Sequence, residues 1–190
     1  MLSATSEATT LPPFHREQQL YLMAKPPHAL ALEIDRERRL LGLQAKYPLE
    51  RFHITLQPFG DIRALSATQL EQICSTVASL QAEPLLVMLN RLEGNALVSS
   101  NARALRALQR ELVRRLISLD VPLPEYDFNP HLTLAYSDWQ KRNETISPLQ
   151  WRMDELLLIN SIRGEGHQLL GRWKLKASQG AFDFMIPTQG

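Results

Sequence analysis

Residues 53–56 read His53-Ile54-Thr55-Leu56, and residues 131–134 return to the pattern as His131-Leu132-Thr133-Leu134. A β-strand sends alternate side chains to opposite faces, so a histidine and a threonine two apart point the same way. Phe52, Ile54 and Leu56 then share one apolar face, and His53, Thr55 and Gln57 share the other. Around the second copy, Pro130, Leu132, Leu134 and Tyr136 alternate with Asn129, His131, Thr133 and Ala135. Each tetrad is therefore expected to be a strand with an apolar back and a His-Thr front. Pro58 has no N–H for a ladder and is expected to end the first strand or to mark an edge. A shuffled chain of this composition would hold roughly 0.04 copies of His-x-Thr-Leu, so two copies in alternating context are not chance.

Working outward, Gln19 to Met23 is an apolar strand ending at Lys25-Pro26-Pro27, and the prolines suit the first turn of a helix. That helix is expected over 28–41, with Leu30, Ala31, Ile34 and Leu41 inward and Glu33, Arg36 and Arg39 outward. Ser66-x-x-Gln69 has the form of a capping box, after which Leu70, Ile73, Cys74, Val77 and Leu80 recur at helical spacing. On that stripe Cys74 reads as packing. A strand over 84–89, a turn at Gly94-Asn95 and a return strand over 96–99 follow. Next comes a helix over 102–119 that buries Leu105, Leu108, Leu112 and Leu116. A proline-rich connection, 121–130, leads to the second tetrad, and 155–161 with 168–175 form a closing hairpin around Gly164-Glu165-Gly166.

Residues 19–58 and 85–136 share one plan: an apolar strand, a helix, then a His-x-Thr-Leu strand. The plan predicts internal duplication and an α+β fold with two lobes related by a pseudo-two-fold. A two-fold through the cleft would set His53 and His131 on opposite walls. Residues 17–178 are expected to form this domain, between flexible tails at 1–16 and 179–190.

The 190 residues carry 44% hydrophobic side chains, ordinary for one folded domain, and a net charge of +1. That balance argues against the broad cationic surface with which proteins grip duplex DNA. The partner expected is a small nucleotide or an RNA terminus. No apolar run approaches the roughly 18 residues that span a bilayer, so no membrane partner is expected. Met1 to Pro13 lacks a cationic, apolar signal sequence, and the single cysteine, Cys74, suits a reducing compartment. The chain is read as a cytoplasmic monomer.

Two imidazoles and two hydroxyls facing one cleft are parts for acid–base chemistry on a phosphate. Histidine, with an ordinary pKa near 6.5, can give or take a proton at neutral pH. The first assignment gives water activation to His131 and leaving-group protonation to His53, with the reverse left open by symmetry. Thr55 and Thr133 would donate to the non-bridging phosphate oxygens. Lys25, Gln57 and Tyr136 are the candidate substrate contacts. A catalytic zinc usually wants a third ligand, and neither tetrad face carries Asp, Glu or Cys beside its histidine, so no metal or other cofactor is expected. Arg103, Arg106, Arg110 and Arg114 form a basic stripe that reads as the wet side of a helix, with an RNA track as the sharper alternative. His15, His28 and His167 receive no catalytic role.

The paired tetrads resemble those of the two-histidine (2H) phosphoesterase superfamily, in particular its 2′-5′ RNA ligase-like branch of RNA 2′,3′-cyclic phosphodiesterases. Phe52-His53, Phe59-Gly60, Asn129-Pro130-His131-Leu132-Thr133-Leu134-Ala135 and the closing Trp173-Lys174-Leu175 carry the resemblance, over roughly residues 19–175. It implies two antiparallel-rich sheets around a central groove with helices outside. It also implies metal-independent hydrolysis of a 2′,3′-cyclic phosphate or related nucleotide phosphodiester, with His53, His131, Thr55 and Thr133 as the catalytic set. Members that cleave cyclic RNA ends often carry arginine just after the tetrads, where this chain has Gln57 and Tyr136. The alternatives are a 2′-5′ RNA ligase or 2′-5′ phosphodiesterase acting on RNA ends, and a nucleotide- or RNA-binding module without turnover.

Overall fold

Strands with one apolar face need a second layer to cover it, and three helices supply that layer here. The computed structural model describes residues 17–43, 48–136 and 142–176. The two expected tails, 1–16 and 179–190, lie outside them. Strand β1 (Gln18–Ala24) passes through Pro26-Pro27 into α1 (His28–Leu40), and β2 (Ile54–Asp61) follows with the first tetrad. Next come α2 (Ala67–Ala78), β3 (Leu85–Glu93), β4 (Ala96–Val98) and α3 (Arg103–Ser118). The second tetrad lies in β5 (His131–Thr133), and β6 (Asn143–Met153), β7 (Glu155–Ile162) and β8 (Gly166–Lys174) close the fold.

The strands form one antiparallel sheet in the order β6-β3-β4-β5-β2-β1-β7-β8. The two expected sheets are the four-stranded halves of this one sheet. They join at a single register pair, Ile54 opposite Leu132, in the middle residues of the two His-x-Thr motifs. Leu20, Leu22, Ile54, Leu56 and Leu132 bury one face against Leu30, Ala31 and Ile34 of α1 and Leu105, Leu108, Leu112 and Leu116 of α3. On the other face Met23, Leu157 and Ile159 form a small separate cluster with Tyr21 packed against it. Ser66 and Gln69 close the expected capping box at the start of α2. Among the described residues no helix is long and apolar enough to cross a membrane.

Three departures from the sequence reading have local causes. The duplication is inexact, because β1 pairs directly with β2 whereas β3 reaches β5 only through β4. Strand β6 has no counterpart in the sequence reading. It is exposed along most of its length and contains Pro148. It holds the sheet edge, with the register slipping between Leu89–Leu149 and Arg91–Thr145, and an edge with a bulge is where a strand tolerates proline. Pro58 does not end β2, which continues to Asp61. Past Ile54 no register pair joins β2 to β5, so the proline falls where that side of the strand acts as an edge.

Helix α1 also buries a charge pair that the amphipathic pattern concealed. Asp35 and Arg38 are both buried and pair with each other, while exposed Arg39 reaches the same carboxylate at 2.6 Å. The Arg38 guanidinium lies 5.4 Å from the ring centroid of Phe52, the residue before His53. The pair thus fastens α1 to the start of the tetrad strand. Removing the carboxylate of a buried pair takes the counter-charge away from the buried guanidinium. Asp35→Ala is expected to cost about 3–5 kcal/mol in urea unfolding. Arg38→Met, which leaves Asp35 paired with Arg39, should cost clearly less.

Candidate active site

The two tetrad histidines are held by the same backbone device. His53 Nδ1 lies 2.5 Å from the carbonyl oxygen of Arg51, and His131 Nδ1 lies 2.7 Å from that of Asn129. A carbonyl oxygen only accepts, so each Nδ1 carries the hydrogen and donates it. In both rings a carbonyl two residues upstream fixes the tautomer and leaves Nε2 to serve the groove.

Strands β2 and β5 are neighbours, and extending the Ile54–Leu132 register by one residue sets His53 opposite Thr133 and Thr55 opposite His131. Diagonal neighbours in such a pair stand on the order of 7–8 Å apart, within reach of two imidazoles. The rings therefore rise from adjacent strands at the floor of the groove. They do not face each other from opposite walls, because the halves of the sheet are joined where the two-fold passes. Two cavities adjoin here. The larger, about 380 Å³, is lined by His131 and Thr133 with Asn95, Ala96, Val98 and Tyr136. The smaller, about 200 Å³, is lined by His53 and Thr55 with Tyr21, Arg51, Ser161 and His167. Tyr136 borders both, so both His-Thr fronts open on one groove.

Tyr136 is 76% exposed. Alternation would put it on the apolar face, but β5 stops at Thr133 and both Leu134 and Ala135 are buried, which turns Tyr136 to the groove. Gln57 goes the other way and is only 2% exposed. Met23 pairs with Thr55 but Leu22 pairs with Gln57, so Leu56 is an extra, bulged residue. The bulge flips Gln57 to the helix face, where its Oε1 accepts from Gln109 of α3 at 3.1 Å. Gln57 is thus a core polar contact rather than a substrate contact.

Lys25 lines a separate hollow beside Pro26 and Pro27. Its Nζ donates to the carbonyl oxygen of Glu50 at 2.6 Å, and the next carbonyl, that of Arg51, holds His53. Lys25 thereby braces the 3-10 turn Leu49–Arg51 that orients the His53 ring. Tyr126 braces the same strand from the proline-rich connection, its hydroxyl donating to the Thr55 carbonyl at 3.2 Å.

Burial pushes the His53 pKa below the ordinary imidazole value; the bond to Arg51 opposes this, and the charges of Lys25 and His131 add to it. Burial thus holds His53 toward its neutral form, in which an imidazole can accept a proton. Sequence reading missed His167. It lies in β8, three strands from β2, yet its ring centroid is 5.3 Å from that of His53, edge to face. This half of the sheet curls over its own face. Burial first, then the charges of Lys25, His53 and Arg51, hold His167 down at about 3. No local motif announces that contact, which depends on the β2-β1-β7-β8 order alone.

The basic stripe of α3 lies away from the groove, since α3 covers the opposite face of the sheet, and Arg114 there pairs with Glu111 at 2.8 Å. Among the described residues no group of three or more His, Cys, Asp or Glu is placed to hold a metal ion.

A family model described as the 2′-5′ RNA ligase superfamily matches residues 26–165. Among solved structures, E. coli LigT complexed with 3′-AMP has a TM-score of 0.65 at 19% identity, covering 84% of this chain and 98% of that one. The apo form of E. coli LigT gives 0.68 at 19% identity, over 85% and 99%. TT0787 of Thermus thermophilus gives 0.65 at 17% identity, over 84% and 99%. No curated protein matches the sequence significantly. At these identities the structural likeness is one of fold.

The electrostatics predict the direction in which His53 titrates. By NMR the midpoint of His53 should lie below about 6.5, the ordinary value for imidazole. Lys25→Met removes a positive charge that favours the neutral ring, so it should raise that midpoint. An unmoved midpoint would show that the lysine field does not reach His53.

Proposed function

The chain belongs to the 2′-5′ RNA ligase superfamily, and from that premise we propose that it hydrolyses an RNA 2′,3′-cyclic phosphate, or a related nucleotide phosphodiester, by acid–base catalysis between His53 and His131. The observation that carries this reading is the matched pair of Nδ1–carbonyl hydrogen bonds, which presents two Nε2 atoms to one groove from adjacent strands. A pure binding module has no need of two proton carriers prepared in the same tautomer.

Opening the ring requires a water oxygen to bond to phosphorus as the bond to one ribose oxygen breaks. His53, which burial holds toward its neutral form, takes the proton from that water, the reverse of the first assignment. His131 gives a proton to the departing ribose oxygen, and the two rings exchange states through bulk solvent before the next turnover. Each such transfer typically contributes about 10²–10⁴-fold. Thr55 and Thr133 stand beside the opposite ring in the register and donate to the non-bridging oxygens, where negative charge is held in the transition state. The larger cavity takes the nucleoside. Ala96 and Val98 give it an apolar wall, Asn95 a polar edge, and exposed Tyr136 a surface on which a base can stack. That E. coli LigT was crystallised with 3′-AMP, ATP and NADP+ supports a ligand of nucleotide size. The family name keeps 2′-5′ bond formation in view, since a 5′-hydroxyl in place of water would open the same ring with the same two proton transfers, forming the 2′-5′ bond as the 3′-oxygen departs.

His53→Ala and His131→Ala should each lower kcat/KM on a nucleoside 2′,3′-cyclic phosphate by about 10²–10⁴-fold, with an unchanged circular dichroism spectrum. EDTA should leave turnover intact. Near-full activity of either variant would defeat the mechanism, and product analysis with 2′-5′-linked dinucleotides separates the two directions. Tyr136→Ala should raise KM about tenfold, the loss of one base–aromatic stack, with a smaller effect on kcat.

A further inference from the structure

The two ends of the groove differ in chemistry. The end beside His131 is largely apolar. The end beside His53 is polar, bounded by Tyr21, Arg51, His53, Thr55, Ser161 and His167. No carboxylate lines it among the described residues, and the Lys25 charge is felt at both of its imidazoles. A guanidinium, four hydroxyls (Tyr136 included) and two imidazoles line it, hydrogen-bond donors suited to an oxyanion.

Besides the first tetrad strand, segments far apart in the chain build this end. Arg51 comes from the turn that Lys25 braces, ahead of the first tetrad. Ser161 and His167 are register partners across β7 and β8. Gly166, at φ +107°, carries no side chain, and a Cβ there would stand 3.6 Å from Nη2 of Arg51, so guanidinium and hairpin are in close register. His167 Nδ1 is buried without a hydrogen-bond partner, which leaves Nε2 as the polar atom this ring can offer the cavity. Its depressed titration keeps the ring neutral, so it supplies a directed hydrogen bond while Arg51 supplies the charge. The scissile phosphorus between His53 and His131 requires neither group.

We propose that the cavity beside His53 is a subsite for a second phosphate, the 5′-phosphate that ties a terminal nucleotide to the rest of an RNA strand, with Arg51 and His167 as its specificity-determining contacts. The proposal rests on the hydrolytic reading of the groove and names its substrate class: RNA ends, in preference to nucleoside cyclic phosphates that have no second phosphate.

The test uses adenosine 2′,3′-cyclic phosphate with and without a 5′-phosphate, a pair that differs only in the group at issue. For the unaltered protein the 5′-phosphorylated compound should have the higher kcat/KM, by about tenfold or more at low salt, the size of one hydrogen bond to a charged group. Arg51→Gln should bring the ratio close to one, and His167→Asn should lower it by a smaller factor, thermal melting confirming that both fold. A ratio near one in the unaltered protein, or a ratio that survives Arg51→Gln, overturns the subsite. Should neither compound be turned over, the hydrolytic reading fails by itself and binding decides the subsite. Adenosine 3′,5′-bisphosphate should then bind about tenfold or more tighter than adenosine 3′-monophosphate, with the difference lost in Arg51→Gln. Equal affinities overturn it.

Discussion

One antiparallel register, Ile54 against Leu132, joins the two halves of the sheet and sets the geometry of the groove. Both residues are fully buried, and each sits between the histidine and the threonine of its motif. Side chains on a strand alternate, so burying the middle residue forces its two neighbours out on the opposite face. The hydrophobic drive that seals the core is thus the drive that presents the imidazoles. A one-residue slip of either strand would turn its histidine into the helix layer and destroy the site. Function and folding are coupled through the same register.

Around that seam the protein holds the rings of His53 and His131 with backbone rather than with acidic side chains. A carbonyl oxygen orients each imidazole without placing a negative charge beside it, so His53 keeps the low proton affinity that burial gives it. The supporting contacts reach far along the chain. Arg38 packs on Phe52, Lys25 holds the Leu49–Arg51 turn, and Tyr126 holds the carbonyl of Thr55. The nearly two-fold floor is flanked by unlike ends, an apolar one from β4 and β5 and a polar one from β7 and β8. A symmetric pair of motifs thus opens on a groove whose two ends differ in chemistry.

Much of this was legible in the residues. The repeat of His-x-Thr-Leu located both site strands, alternation assigned their faces, and the leucine spacing of α3 picked out its buried side. What escaped depended on contacts between distant segments. The bulge at Leu56 that turns Gln57 inward arises from how β1 meets β2, and no local signal separates Gln57 from Thr55. Strand β6 is mostly polar with a proline inside, a pattern acceptable only because it lies at an edge. The Asp35–Arg38 pair was invisible because charged residues on a helix are ordinarily read as solvated. His167 reaches His53 only through the curl of a half-sheet, a property of the whole assembly.

The proposed chemistry requires two imidazoles acting on one phosphorus. The most direct measurement is a crystal structure of the protein soaked with a nucleoside 2′-monophosphate. Nε2 of His53 and Nε2 of His131 should each lie within about 2.6–3.2 Å of oxygens on the same phosphate. A phosphate held by one ring alone, or seated elsewhere with both rings untouched, would contradict it.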